Sequence, residues 1–160
     1  MSVIMAVCSW LTIPAAVPFT MQTFGVFFAL LFLGGKRGTA AITVYLLLGA
    51  VGLPVFSGFS GGVGHILGAT GGYMIGFVFI GVIYTLFEHV FGKSLKKSVL
   101  SLVLGLFICY FFGTMWFIAY SGSTGFLHAL MICVVPFIIP DILKLALAVM
   151  ITKKIRSAGF

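Results

Sequence analysis

The sequence predicts an all-α integral membrane protein with six transmembrane helices. Of its 160 residues, 62% are hydrophobic and only 7% are charged, whereas an ordinary globular domain carries about 25% charged residues. The mean hydropathy is +1.31. The apolar runs are continuous, unlike the alternating segments of roughly ten residues that form outer-membrane barrels. Because lipid offers no hydrogen-bond partner to free backbone groups, the spans must be helical.

The first two apolar segments are separated by a short stretch with a proline at each end. The first segment, residues 1–13, is short for a crossing, since about 20 helical residues span the hydrocarbon core. It lacks the basic start and small-residue cleavage site of a signal peptide, so we expect a short first helix. Pro14 and Pro18 disfavour helix between the segments. The second helix is expected at residues 19–35.

Four more helices complete a single domain of residues 1–160. The third is expected at residues 39–53, and the last three at residues 73–91, 98–120 and 126–152. Between the third and fourth lies a glycine-rich loop, in which seven of residues 54–73 are glycine. Such a backbone can approach a ligand closely or re-enter the membrane where it lines a cavity. We expect a lid over a pocket, with a plain external connector as the alternative.

The basic residues predict the orientation in the membrane. Eight of the nine lie at positions 36–37, 93–97 and 153–156, and none lies in the loops at 14–18, 54–72 and 121–125. With six crossings, the positive-inside rule places the basic loops and both termini in the cytoplasm. The glycine-rich loop then faces outward. The net charge of +7 is therefore a topology signal and does not indicate nucleic-acid binding.

Asp141 and Lys144 lie one helical turn apart inside the last apolar span. A charge near the bilayer centre costs roughly 3–10 kcal/mol, so it is rarely present unless paired, hydrated or bound to something. The spacing puts both side chains on one helix face. Pro136 and Pro140 precede them, and a kinked helix facing a cavity is expected. The alternative is a structural ion pair, although buried ion pairs stabilise less well than apolar packing.

The remaining patterns indicate packing rather than chemistry. Gly68, Gly72 and Gly76 repeat at four-residue spacing, which lets helices touch backbone to backbone. The three cysteines and three histidines lack the spacing of metal ligands, so no metal site is expected. No set of nucleophile, base and orienting residue is evident, and the protein is not expected to be an enzyme.

Several segments, taken together, resemble the BioY family. They are residues 17–23 (VPFTMQT), 52–56 (GLPVF), 60–64 (SGGVG), 68–73 (GATGGY) and 140–144 (PDILK). The resemblance covers essentially the whole chain in order and spacing. BioY proteins are the biotin-specific substrate-binding (S) components of energy-coupling factor (ECF) vitamin importers.

This resemblance implies a six-helix biotin binder in the bacterial cell membrane. It would dock on a transmembrane coupling subunit and two cytoplasmic ATPases, with biotin as cargo and no cofactor. Asp141 would accept hydrogen bonds from the ureido N–H groups of biotin, and Lys144 would donate to the ureido carbonyl. The other expected binding residues are Gln22, Ser57, Thr70 and Tyr73 as polar contacts, and Phe56, Phe59 and Trp116 as apolar walls.

Two other functions remain open for the charged pair. The chain could be a membrane-embedded enzyme that acts on a lipid or quinone with Asp141 as acid or base, in which case the isolated chain would turn over substrate. It could also be a solitary carrier with Asp141 as its proton site. Uptake driven by a proton gradient, without ATPase partners, would favour that second alternative.

Overall fold

The computed structural model describes residues 1–14, 17–122 and 125–158. The described chain is almost entirely helical, with one two-stranded antiparallel pair and one 3₁₀ turn. In chain order the elements are α1 (Ser2–Trp10), β1 (Thr12–Ile13), β2 (Phe19–Thr20), α2 (Gln22–Leu33), α3 (Gly35–Ala50), the 3₁₀ turn (Ser57–Phe59), α4 (Val63–Ile66), α5 (Gly71–Phe91), α6 (Leu95–Ser121), α7 (Phe126–Cys133) and α8 (Val135–Ser157).

Three helical stretches of the described chain are long and apolar enough to cross a membrane. They are α5, α6 and the stretch of α7 with α8, Phe126–Ser157. Helix α2 is apolar but has 12 residues, and the nine residues of α1 rise only about 14 Å. The predicted class, an all-α multi-pass membrane protein, is confirmed. The number of six crossings stays a prediction.

The segment between α1 and α2 is held by a small strand pair that the sequence pattern did not predict. Thr12 pairs with Thr20 and Ile13 with Phe19, so residues 19 and 20 are extended and not helical. Helix α2 therefore begins at Gln22 instead of residue 19. This start places Gln22 and Thr23 in the first turn of the helix.

Helix α3 begins four residues earlier than predicted. Gly34 has a φ of +83°, which ends α2, and the next amide is already helical. The carboxylate of Glu88 on α5 accepts the backbone N–H of Gly35 at 2.6 Å, which satisfies one of the open donors at the helix start. Lys36 and Arg37, predicted in a loop, consequently lie in the first turn of α3.

The last apolar segment is broken, and the break lies earlier than the prolines suggested. Val134 has φ −125° and ψ −55°, outside the helical region, and separates α7 from α8. Pro136 follows at the start of α8, where its missing N–H is tolerated. Asp141 and Lys144 lie further along in α8, so the kink precedes the charged turn by about two turns of helix.

Glycines bring α5 and α6 into backbone contact. A Cβ added at Gly76 would lie 3.1 Å from the Cα of Cys109, and one at Gly72 would lie 3.1 Å from the Cα of Gly113. On the other helix, a Cβ at Gly105 would lie 3.0 Å from the Cα of Ile80. The predicted packing role of Gly72 and Gly76 is confirmed. Gly68 lies before α5 begins and takes no part in this contact.

Candidate functional site

A cavity lies between the start of α2, helices α5, α6 and α8, and the glycine-rich segment. It encloses about 60 Å³ of free space, several times what one water molecule needs. Its walls are mostly apolar, and its polar groups come from separate parts of the chain. The lining residues are Val17, Pro18, Thr20, Gln22, Thr23, Ser57, Thr70, Tyr73, Met74, Phe77, Leu106, Cys109, Tyr110, Cys133, Phe137, Asp141 and Lys144.

Asp141 and Lys144 form a buried ion pair at this cavity. The Lys144 Nζ lies 2.7 Å from Asp141 Oδ1, and the two residues are 4% and 2% exposed. The ammonium also lies 4.3 Å from the centroid of the Phe19 ring, close enough for a cation–π interaction. Phe137, one turn before Asp141, stacks on Phe19. The pair is therefore shielded on one side by two aromatic rings.

Two hydroxyl groups from other helices complete the surroundings of the carboxylate. Thr23 Oγ1 on α2 donates to Asp141 Oδ1 at 2.9 Å and accepts from Lys144 Nζ at 3.1 Å. Tyr110 on α6 donates its hydroxyl to Asp141 Oδ2 at 2.6 Å. Hydrogen bonds to a carboxylate are roughly twice as strong as neutral ones. The ion pair is thus the point at which α2, α6 and α8 are joined.

Gln22 is oriented by a chain of hydrogen bonds that reaches the glycine-rich segment. Its Nε2 donates to the Tyr45 hydroxyl at 2.9 Å, and that hydroxyl donates to the carbonyl of Val55 at 3.0 Å. The Ser9 hydroxyl on α1 lies 2.6 Å from the same carbonyl and shares its one proton between it and the carbonyl of Ala6, at 2.7 Å. The amide at the cavity and the start of the segment are consequently positioned by the same groups.

The glycine-rich segment contains a small hydrogen-bonded core of its own. The Ser60 hydroxyl donates to the carbonyl of Ser57, a cavity residue, at 2.7 Å. That hydroxyl proton is used, so the contact of 3.0 Å between Ser60 Oγ and His65 Nδ1 requires the histidine N–H as donor. Burial lowers the pKa of His65, and its ring stacks on Phe56. The His65 ring thus links the middle of the segment to its start.

Tyr73 and Thr70 lie at the cavity where the glycine-rich segment meets α5. The Tyr73 hydroxyl donates to the carbonyl of Cys133 at 3.2 Å. That carbonyl precedes the break at Val134, and the N–H of Phe137 bonds to Val134 instead. Tyr73 therefore supplies a partner for a carbonyl that lacks its ordinary helical one.

Six of the eight principal residues predicted from sequence line the cavity, and two do not. Gln22, Ser57, Thr70, Tyr73, Asp141 and Lys144 are in its lining. Phe56 is fully buried beneath Tyr45 and His65. Trp116 lies away from the lining and donates its indole N–H to the carbonyl of Gly68. Phe59, a further predicted wall, is 65% exposed and stacks on Trp10.

Sequence reasoning missed the two hydroxyl partners of Asp141. Thr23 lies next to Gln22 in the segment that carries the family resemblance, residues 17–23. Tyr110 is a polar side chain in the middle of the apolar helix α6. A hydrogen-bonding group that deep in a span is the same kind of signal that identified Asp141, and it would have found Tyr110.

Comparisons with known proteins identify the family of the chain. The profile described as the BioY family matches residues 1–159. The chain belongs to the BioY family. A probable biotin transporter BioY of Pyrococcus horikoshii is 44% identical over 140 residues, which cover 88% of this chain and 81% of the relative. The biotin transporter BioY of Thermotoga maritima is 37% identical over 154 residues, covering 96% and 89%.

A solved structure also has the same fold as this BioY chain. It is the S-component for biotin from an ECF-type ABC transporter, determined by crystallography. The TM-score is 0.87 at 29% identity, with 99% of this chain and 87% of the other covered. BioY proteins are transporter components, so the interpretation of Asp141 as the acid or base of a membrane enzyme has no support in the family.

Proposed function

We propose that this chain is the biotin-binding S component of an ECF-type importer, with Asp141 and Lys144 as the groups that bind the ureido ring. The proposal is supported by the family, by the named relatives and by the unused hydrogen-bonding capacity of the buried pair. The polar side chains that Gln22, Ser57, Thr70 and Tyr73 contribute to the cavity are proposed as further contacts. Biotin is cargo in this function, and no cofactor is required.

The observation that carries the proposal is that Asp141 has one unused acceptor position and the neighbouring Lys144 has one unused donor. An ionised carboxylate has about four acceptor positions and an ammonium has three donors. Asp141 accepts three hydrogen bonds within the described chain, from Lys144, Thr23 and Tyr110. Lys144 donates two, to Asp141 and Thr23. A ureido group presents an N–H donor beside a carbonyl acceptor, which matches what remains.

Titration calorimetry of the purified chain with three ligands tests this assignment. Biotin is expected to bind tightly. 2-Iminobiotin has a cyclic guanidine in place of the ureido group, and at neutral pH this guanidine is protonated. It then offers only N–H donors where Lys144 needs an acceptor, and it is expected to bind at least about 100-fold more weakly. Biocytin, altered only at the carboxyl tail, keeps the ureido ring and serves as the control. Equal affinities for biotin and 2-iminobiotin would contradict the assignment.

We further propose the partners that the family resemblance implied and the orientation that the basic residues predicted. The S component would dock on a transmembrane coupling subunit that is driven by two cytoplasmic ATPases, with both termini of this chain in the cytoplasm of the bacterial cell. The deciding measurement is biotin uptake into liposomes that contain this chain, compared with and without the coupling module and ATP. Uptake that needs ATP and the added coupling module supports the proposal, and uptake driven by a proton gradient alone contradicts it.

Changing Tyr110 to Phe is expected to weaken biotin binding about tenfold without unfolding the protein. The substitution removes only the hydroxyl that holds Asp141 Oδ2, and a hydrogen bond to a charged group contributes about 1.5–3 kcal/mol. Tyr84→Phe is the matched control, since the Tyr84 hydroxyl is also buried and donates to Ser98 outside the cavity. Calorimetry measures both dissociation constants, and equal losses in the two variants would contradict a specific role for Tyr110.

A further inference from the structure

A furrow with one basic and one apolar end lies between α3 and α5, apart from the cavity at Asp141. It consists of two adjoining cavities that share Lys36 and Thr85. The basic one, of about 460 Å³, is lined by Leu33, Gly34, Gly35, Lys36, Arg37, Thr85, Glu88, His89 and Lys93. The apolar one, of about 500 Å³, is lined by Lys36, Thr39, Ala40, Thr43, Val44, Val82, Thr85 and Leu86.

Helical periodicity makes the furrow continuous. The apolar cavity is lined at positions 36, 39, 40, 43 and 44 of α3 and at positions 82, 85 and 86 of α5, which is one face of each helix. The basic cavity adds positions 35 and 37 of α3 and positions 88 and 89 of α5. At the floor, the Thr39 and Thr85 hydroxyls lie 3.1 Å apart. From Lys36 to Val44 the furrow extends about 12 Å along the helix axis, from charged side chains to a lining of mostly apolar ones with three threonines.

The basic end carries positive charge that the protein itself does not neutralise. Glu88 is the one acidic residue there, and its carboxylate already holds the N–H of Gly35 and lies 3.4 Å from Lys93. Lys36 and Arg37 are exposed, and their side chains form no ion pair or hydrogen bond within the described part of the chain. An anion is therefore the complementary partner at this end.

We propose that this furrow binds an anionic phospholipid, with the phosphate at Lys36 and Arg37 and an acyl chain against Ala40, Val44 and Val82. The furrow changes from basic to apolar along its length, which complements a phospholipid. In a phospholipid the anionic head group is followed by hydrocarbon tails within a few ångströms. Basic pockets between helix ends are known to bind anionic head groups. Three apolar side chains along the furrow, Val44, Val82 and Leu86, are 42–58% exposed and offer contact area for the tail.

Native mass spectrometry of the purified full chain tests the head-group contacts. Phosphatidylglycerol is added in one series and phosphatidylcholine in another, and bound lipid is counted per protein. Lys36→Ala/Arg37→Ala is expected to weaken phosphatidylglycerol binding about 20-fold. Lys153→Ala/Lys154→Ala removes the same charge from the exposed end of α8 and is expected to leave it unchanged. Equal losses in the two double variants, or equal binding of both lipids, would overturn the proposal.

Filling the apolar end tests the acyl-chain contact without changing any charge. Ala40→Trp is expected to reduce bound phosphatidylglycerol severalfold, while Leu104→Trp, at an exposed position of α6 outside the furrow, is expected to have no effect. Undiminished lipid binding in Ala40→Trp would overturn the proposal. The same variants are titrated with biotin, which is expected to bind all of them normally. The proposed lipid site and the proposed biotin site are therefore tested independently.

Discussion

Asp141→Asn is expected to raise the dissociation constant for biotin at least about 100-fold and to lower the stability of the protein at the same time. The substitution leaves the Lys144 ammonium buried without a counter-charge, and breaking a buried ion pair in this way costs about 3–5 kcal/mol. It also replaces one carboxylate oxygen by an NH2 donor and removes the charge that strengthens the hydrogen bond from the ureido N–H. Calorimetry measures the first effect, and thermal unfolding in detergent measures the second.

The double variant Asp141→Asn/Lys144→Met separates a binding role from a structural one. It removes both charges and keeps side chains of similar size, so the melting temperature is expected to recover most of the loss. Biotin affinity is expected to stay low, because neither charged group remains. Recovery of tight binding in the double variant would show that Asp141 and Lys144 only brace the fold.

Gly76→Leu is expected to separate α5 from α6 and to lower the melting temperature by about 10 °C. A Cβ at this position would lie 2.6 Å from Cys109 Sγ and 3.1 Å from Cys109 Cα. The sulfur can rotate away, but the backbone cannot, and overpacking of this kind costs about 1–3 kcal/mol or more. Because Cys109 and Met74 line the cavity, biotin affinity is expected to fall with stability.

Gly64→Leu is the matched control for this substitution. Gly64 lies in α4, and a Cβ there would meet nothing within 4 Å. Its melting temperature is expected to stay within about 2 °C of the parent. A Gly76→Leu protein as stable as the Gly64→Leu protein would show that the two helices do not depend on their close approach.

The fold class and the centre of the candidate site could be predicted because both depend on the free-energy cost of placing polar groups in lipid. That cost can be judged from the sequence. An unbroken apolar run is stable only as a membrane helix, and a carboxylate inside one is costly enough to need a reason. Local spacing then placed Asp141 and Lys144 on one face. The polar residues of the glycine-rich segment, Ser57, Thr70 and Tyr73, were expected at the site only because of the family resemblance.

What the sequence did not predict depends on contacts between distant segments. Thr23 and Tyr110 meet Asp141 from 118 and 31 residues away, and no local pattern encodes such a meeting. The aromatic residues show the same limit, since Phe56, Phe59 and Trp116 were expected at the cavity and lie outside its lining. An aromatic ring in an apolar segment is compatible with the composition whichever way it faces. Only the packing of neighbouring helices determines where it points.

The position of both charges on a single helix has a consequence for membrane insertion. Asp141 and Lys144 are three residues apart in α8, so their ion pair can form within that helix alone, without Thr23 of α2 or Tyr110 of α6. A lone central charge adds about 2.5–3.5 kcal/mol to the cost of transfer from the translocon into lipid. A pair that neutralises itself lowers that barrier for the newly made helix. The ion pair can then already be formed when α8 packs against the rest of the bundle.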